Sequence, residues 1–157
     1  MNIFYLSSNP LECARFHTDR HTTKMILETA QLLSTAHHVL DGHNVPVGIY
    51  KKTHVNHPSA IWARQSTNNY TWLHSLFYSL CLEYTHRYRK IHATSRLIDT
   101  LKNTPLNLVN IGWSQPPQCM PDEYKVAGDS ITAYRNYYRN GKSHLHKWTN
   151  RERPNWL

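Results

Sequence analysis

The sequence predicts an all-α protein: a single compact helical domain over residues 1–157, with a long central helix and a long proline-rich loop before the C-terminal helix. Two long blocks carry apolar residues at three- and four-residue spacing, which is the period of a helix with one buried face. A chain of 157 residues is long enough for one domain with a real core. No repeat, low-complexity tract or linker divides it.

The N-terminal region begins with the apolar residues 3–6, which we expect to form a strand or a buried extension. A helix should follow directly. Asn9 can cap it, Pro10 suits its first position, and Glu12 completes a capping box.

The long central helix is predicted from the apolar residues within 25–40, and Gly42 is its natural C-terminal stop. Residues 41–57 contain glycine, proline and asparagine and should form a loop. A second helical block begins at Pro58, with a break expected near residues 66–69. Its apolar and aromatic residues recur at helical spacing: Trp62, Tyr70, Leu73, Phe77, Leu80, Tyr84 and Tyr88.

The C-terminal third is predicted to contain two helices separated by a loop. Residues 94–102 form a short helix, and residues 103–128, with four prolines and no clear period, form the long loop. Asp129 then caps a last helix that continues to about Asn140 and ends at Gly141.

Composition limits the function classes. Lys and Arg exceed Asp and Glu by eight, and twelve histidines add latent positive charge. Five tryptophans and ten tyrosines are unlike a disordered basic tail. Three distant cysteines argue against a disulfide framework, and no apolar run or signal-like N-terminus indicates a membrane or a secretory route. We therefore expect a cytoplasmic protein with an anionic partner.

A polar stripe runs through the first helical block at alternating four- and three-residue spacing. Its members are His17, His21, Lys24, Glu28, Gln31, Thr35 and His38. On one helix these side chains share a narrow face. That face is either solvated or the lining of a polar pocket; the apolar character of the other faces favours the pocket.

The last helix has a matching pattern of cations and aromatics. Arg135 and Arg139 stand beside Tyr134 and Tyr138, and Lys142 and His146 extend the spacing. Guanidinium groups bind phosphates and aromatic faces stack on bases. The segment around Tyr84 adds Arg87, Arg89 and Lys90. These residues are candidate ligand contacts, although a basic helix face can also serve only solubility.

Metal and nucleophile motifs are sparse. His17 and His21 have a spacing that can hold zinc, with His54 and His57 as further ligands, but no zinc, P-loop or nucleophile motif is present. We expect no metal and no cofactor. The paired histidines, with pKa values near neutrality, are instead candidate acid–base catalysts on a phosphodiester. Glu28 either forms a plain ion pair with Lys24 or is directed at a sugar.

Longer motifs give a resemblance. The motifs lie at residues 17–21 (HTDRH), 24–25 (KM), 28–33 (ETAQLL), 54–58 (HVNHP), 69–73 (NYTWL), 83–84 (EY), 120–124 (MPDEY) and 134–138 (YRNYY). Together they resemble a family of small phage-encoded proteins of unclear function, over nearly the whole chain.

The order of parts is also remotely similar to the endonuclease V class of pyrimidine-dimer DNA glycosylases, which are small, basic and all-helical. A helix with a glutamate, a His-Pro turn, a long helix and a basic aromatic C-terminal segment recur in that order. The resemblance implies that Glu28 matches the catalytic glutamate, with Lys24 near it. Those enzymes use the freed α-amine of a small residue as nucleophile; here Asn2 follows Met1, so we expect Met1 to be retained.

Three hypotheses follow. The first is a binding protein that sequesters a nucleotide immune signal, of ADP-ribose or cyclic nucleotide type, as phage anti-defence proteins similar in size and charge do. The alternatives are a glycosylase-like DNA-processing enzyme and a metal-independent phosphodiesterase using His17, His21 or Glu28. The predicted ligand contacts are His21, Lys24, Glu28, Gln31, His57, Arg87, Tyr134, Arg135, Tyr138 and Arg139.

Expected partners follow from the same pattern. A small anionic nucleotide is the main one, with weak, non-specific nucleic-acid binding beside it and no membrane. The sequence leaves open whether the chain forms a homo-oligomer.

Overall fold

The computed structural model describes residues 1–157 and contains helices, turns and loops but no β-strand. The all-α prediction is confirmed. The six α-helices are α1 (Pro10–Phe16), α2 (Asp19–Asp41), α3 (Pro58–Ala63), α4 (Thr67–Tyr88), α5 (Ile98–Lys102) and α6 (Ser130–Asn136). None of them is both long enough and apolar enough to span a lipid bilayer.

Helix α2 lies at the centre and packs against α4 and α3. It begins at Asp19, where the Thr18 side chain accepts a hydrogen bond from the backbone N–H of His21. It ends at Gly42, whose φ of +57° lies in the region that glycine tolerates best, as predicted. The prediction that seven polar residues share one face of this helix is wrong for His17, because His17 is the extended C-cap of α1 and lies before α2.

Residues 3–6 form a buried extension rather than a strand. Ile3, Phe4, Tyr5 and Leu6 are each at most 5% exposed. Their backbone polar groups find scattered partners, since the Phe4 carbonyl accepts from the Cys13 thiol and the Leu6 carbonyl accepts from Arg135 Nε. The chain therefore enters the core directly after its first two residues.

The start of α1 follows the predicted capping with one change. Asn9 Oδ1 accepts from the backbone N–H of Glu12 at 3.0 Å, and Pro10 occupies the first turn. Glu12 does not complete the box, because its carboxylate accepts from the Ser7 hydroxyl, whose oxygen in turn accepts from the Asn9 N–H. The Ser7 hydroxyl thus connects the Glu12 carboxylate to the backbone N–H of Asn9.

The second helical block is divided, as expected, by a break at residues 64–66 between α3 and α4. The long loop of residues 103–129 is ordered along the start of α4. The Ser66 hydroxyl accepts from Ile111 N–H, and Asn69 Oδ1 accepts from Ser114 N–H. The segment predicted as the helix 94–102 consists of a 3₁₀ turn, Ala93–Leu97, followed by α5.

The last predicted helix is only partly α-helical. It is capped by Asp129 as expected, but it changes after Asn136 into a π-helical turn, Tyr137–Gly141. Tyr138 and Arg139 are therefore rotated relative to Tyr134 and Arg135. The predicted spacing of Lys142 and His146 on the same helix is wrong, since both lie beyond its end.

A buried arginine joins α1, α2, α4 and the C-terminal segment. Arg87 is 2% exposed. Its Nε donates to Glu83 at 2.8 Å, and its terminal nitrogens donate to Asp19 and to the Arg15 carbonyl, both at 3.0 Å. Arg151 pairs with the same Glu83. Burial acts to raise the pKa of Glu83, but these arginine hydrogen bonds outweigh it and lower that pKa below its ordinary value.

We expect Arg87→Met to reduce the free energy of unfolding by about 3–5 kcal/mol, because it leaves the Glu83 carboxylate buried and short of its partner. Lys125→Met is the control, since Lys125 forms an exposed ion pair with Asp122 and such pairs contribute about 0–1 kcal/mol. Urea unfolding measures both. Equal effects of the two substitutions would contradict this account of Arg87.

Candidate functional site

The N-terminal amine, Glu28 and Lys24 form a compact charged group on α2. The Met1 amine lies 3.5 Å from one carboxylate oxygen of Glu28, and Lys24 Nζ lies 3.4 Å from the other. The Glu28 side chain is 15% exposed and that of Lys24 is 60% exposed. The buried extension at residues 3–6 fixes where residue 1 emerges, so the amine is held against α2.

His57 belongs to the same electrostatic environment. It caps α3, where its Nδ1 accepts from the Ser59 N–H at 3.1 Å. Burial lowers the pKa of His57, the positive charge of the Met1 amine lowers it further, and Glu28 opposes the shift. Both charges therefore act on the His57 imidazole, and its neutral form is favoured.

Asn2, which follows the amine in sequence, is held by Cys119. The Asn2 amide nitrogen donates to the Cys119 carbonyl at 2.9 Å, while its Oδ1 is buried without a hydrogen-bond partner. The Cys119 sulfur lies 3.9 Å from the Ser59 hydroxyl oxygen. The Asn2 side chain thus keeps one buried acceptor that no protein donor satisfies.

Four of the predicted ligand residues lie on or beside this surface. Lys24, Glu28 and His57 are joined by the contacts and charges above, and the half-buried Gln31 follows Glu28 by one turn of α2. We call the group of Met1, Lys24, Glu28 and His57 the amine–carboxylate site. The Met1 amine is not among the contacts predicted from the sequence. The apolar run at residues 3–6 does indicate that the N-terminal segment is anchored.

The histidines of the first block are placed differently. His17 is fully buried; its Nδ1 donates to the Cys13 carbonyl at 2.7 Å, and its Nε2 is buried without a partner. Nδ1 of His21 lies 2.6 Å from the Tyr138 hydroxyl, and its ring stacks on Phe4 with centroids 4.1 Å apart. Both rings fill the core between α2 and the C-terminal segment.

Burial also determines the charge state of these two histidines. It lowers the pKa of His17 to about 4, with a smaller contribution from the charge of Arg87. Burial lowers the pKa of His21 to about 2, and the neighbouring His17 and Lys142 add to the shift. Both rings are neutral at pH 7, so the pair does not supply the acid and base of near-neutral pKa that the phosphodiesterase hypothesis needs.

The predicted contacts in the C-terminal helix make hydrogen bonds or ring contacts to other parts of the protein. The buried Tyr134 donates its hydroxyl proton to the Pro117 carbonyl at 2.7 Å. Arg135 donates to the Leu6 carbonyl, and its guanidinium lies 4.9 Å from the ring centroid of Trp156. Arg139 donates twice to the Trp156 carbonyl. Tyr138 contacts His21, and Arg87 is enclosed by its ion pairs. This region is therefore closely packed and does not form a cleft together with the amine–carboxylate site.

No group of three or more His, Cys, Asp or Glu side chains is arranged to hold a metal ion. His17 and His21 each use one ring nitrogen in the contacts above. His54 lies next to the Thr53 hydroxyl, and His57 caps α3. These four residues therefore do not converge.

The largest cavity, of about 660 Å³, lies away from all of the predicted ligand residues. It is formed by the start of α1, the middle of α4 and α5, with His74, Tyr78 and Lys102 among its lining residues. Comparison of the chain with protein-family models, with curated proteins and with solved structures finds no match in any of the three. The function must therefore be argued from the geometry.

Because His17 and His21 are buried in neutral form, we expect stability to fall in mild acid. In the unfolded chain histidine titrates near pH 6.5. Below that pH the unfolded state binds protons that the folded state, with pKa values of about 4 and about 2, does not. The free energy of unfolding should fall by up to about 1.4 kcal/mol per pH unit for each ring between pH 6.5 and 5.

Urea unfolding at pH 7, 6 and 5 measures this slope. In His17→Gln the slope should be smaller, because one of the two rings no longer titrates. The control is His43→Gln, an exposed histidine in the loop after α2, which should keep the slope of the unsubstituted protein. A profile that is flat between pH 6.5 and 5 would contradict the assignment.

Proposed function

We propose that the protein is a DNA-processing enzyme of the endonuclease V type, in which the Met1 amine is the nucleophile and Glu28 its carboxylate partner. The single observation that supports the proposal is the 3.5 Å separation of the Met1 amine and Glu28. Glu28 is the residue that the resemblance matches to the catalytic glutamate, and the fold brings an α-amine to it. The phage origin that the first resemblance implies is part of the same proposal.

The chemistry requires both groups. A protonated amine is not nucleophilic, and a carboxylate within 3.5 Å can accept its proton through a small movement or a water molecule. The free amine then attacks C1′ of a nucleotide, the C1′–N bond breaks, and the base leaves with the bonding electrons and takes up a proton. Opening of the sugar ring breaks the C1′–O4′ bond, O4′ takes up a proton released by the attached amine, and the resulting imine between C1′ and the amine carries a positive charge that Glu28 would stabilise.

The surroundings suit such a substrate. Lys24 is largely exposed beside Glu28 and can contact a phosphate of the strand. The formal charge of +8 attracts a polyanion over a distance.

The nucleotide-sequestering hypothesis has less support from the same geometry. Its predicted pocket lay between α2 and the C-terminal helix. Five of its ten predicted contacts, namely Arg87, Tyr134, Arg135, Tyr138 and Arg139, make polar or packing contacts within the protein. Binding a nucleotide there would require those contacts to be broken first. The hypothesis remains a prediction that the following experiment also tests.

We expect the untagged protein to form a covalent adduct with duplex DNA carrying a pyrimidine dimer or an abasic site when borohydride is present, because borohydride reduces an imine to a stable amine. Glu28→Gln should reduce the rate of trapping by about 10²–10⁴-fold, the usual contribution of a positioned acid or base. Glu123→Gln, which changes an exposed carboxylate, is the control and should trap at the unchanged rate.

Mass spectrometry of the digested adduct should place the nucleotide on the peptide that begins at residue 1. An adduct on a lysine side chain would overturn the assignment of the nucleophile. Absence of any adduct, together with a nucleotide that is retained by the protein and recovered intact after heat denaturation, would favour sequestration instead.

A further inference from the structure

A second, separate cavity lies at the C-terminal end of α2. Its volume is about 510 Å³, and it is lined by His38, Gly42, His43, Lys51 and Lys52. The lining contains two lysines and two histidines, and no carboxylate is among them. Asp41, the nearest acidic residue in sequence, directs its carboxylate to the backbone N–H groups of Leu106 and Asn107.

The segment that carries the two lysines is fixed to α2 on both sides. Before them, the Tyr50 N–H donates to the Ser34 hydroxyl at 3.2 Å, and His38 Nε2 donates to the Tyr50 carbonyl at 2.9 Å. After them, Thr35 and Thr53 exchange two hydrogen bonds, of 3.1 and 3.3 Å. The backbone between these anchors is therefore held in place before any ligand arrives.

The lysines themselves have no anionic partner within the chain. Both are exposed, and neither takes part in any of the ion pairs. Two ammonium groups beside one cavity repel each other unless an anion is bound. A phosphate group, with several acceptor oxygens and negative charge, fits this donor set.

We propose that this cationic cavity binds a backbone phosphate of the nucleic-acid strand whose nucleotide is processed at Glu28. The proposal rests on the proposed function and extends it to the substrate class, namely a polynucleotide longer than the reacting nucleotide. His38 and Glu28 lie on the same polar face of α2, ten residues apart, which is about 15 Å along the helix. Successive phosphates of one duplex strand advance along its axis by about 3.4 Å, so the bound phosphate lies a few nucleotides from the reacting base.

The test replaces single phosphates of a damaged duplex by neutral methylphosphonates, one at a time, over six positions on each side of the lesion. Affinity should fall about tenfold for substitution at one phosphate within a few nucleotides of the lesion, as expected when a charged hydrogen bond is lost. In Lys51→Gln/Lys52→Gln the same substitution should have no effect, because the cavity no longer holds that phosphate. The slope of log affinity against log salt should also be smaller by about 0.9 in this variant.

Arg89→Gln/Lys90→Gln is the control, since it removes the same charge from two exposed residues that follow each other in sequence. This pair follows Tyr88, whose hydroxyl donates to Asp19 at the opposite end of α2. The control should keep the sensitivity to the substituted phosphate. Equal affinities across all methylphosphonate positions, or no binding of the duplex, would overturn the proposal.

Two further measurements separate the outcomes. Tight binding of AMP that is lost in Lys51→Gln/Lys52→Gln, without any methylphosphonate effect, would assign the cavity to a free nucleotide and overturn the strand-phosphate proposal. Borohydride trapping at saturating DNA should be unchanged in Lys51→Gln/Lys52→Gln, because the amine–carboxylate site is intact. If instead no trapping occurs with any variant while the methylphosphonate effect persists, the proposed chemistry fails and the phosphate site stands.

Discussion

Burial of the apolar N-terminal extension is the constraint on which the rest of the structure depends. Residues 3–6 have no strand partner, so their backbone groups must be satisfied by side chains of the surrounding elements. Arg135 donates to Leu6 and the Cys13 thiol donates to Phe4, which ties α6 and α1 to the extension. The same burial leaves residue 1 beside α2. Burial of residues 3–6 thus accounts both for the core packing and for the position of the Met1 amine.

The polar face of α2 serves three purposes along its length. Near its start, His21 is buried against Phe4 and Tyr138 in the core. In the middle, Glu28 meets the amine and Lys24. Near its end, Thr35 and His38 hold the segment that carries Lys51 and Lys52. A single helix therefore connects a structural region, the amine–carboxylate site and the cationic cavity, and fixes the distance between the latter two.

The distribution of positive charge separates structural cations from those available to a ligand. Arg87 is buried because Asp19 and Glu83 compensate for its desolvation, and Arg135 packs on Phe16 and Trp156. Arg87 thus adds to the net charge without presenting it to solvent. Lys24, Lys51 and Lys52 are exposed, and they lie at the amine–carboxylate site and the cationic cavity. This arrangement is what a polyanionic substrate requires, because phosphate contacts must be reachable from solvent.

The sequence by itself determined the all-α fold class, the caps at Asn9 and Asp129 and the stop at Gly42, because these depend on residues a few positions apart. It also predicted Lys24, Glu28 and His57 as contacts, and the fold brings their charges close together. Only the tertiary structure decided which cations and aromatics are accessible, since Arg87 and Asp19 meet across 68 residues of chain and no local spacing encodes their contact. For the same reason the amine of Met1, brought to Glu28 by burial of the extension, could be found only in the folded protein.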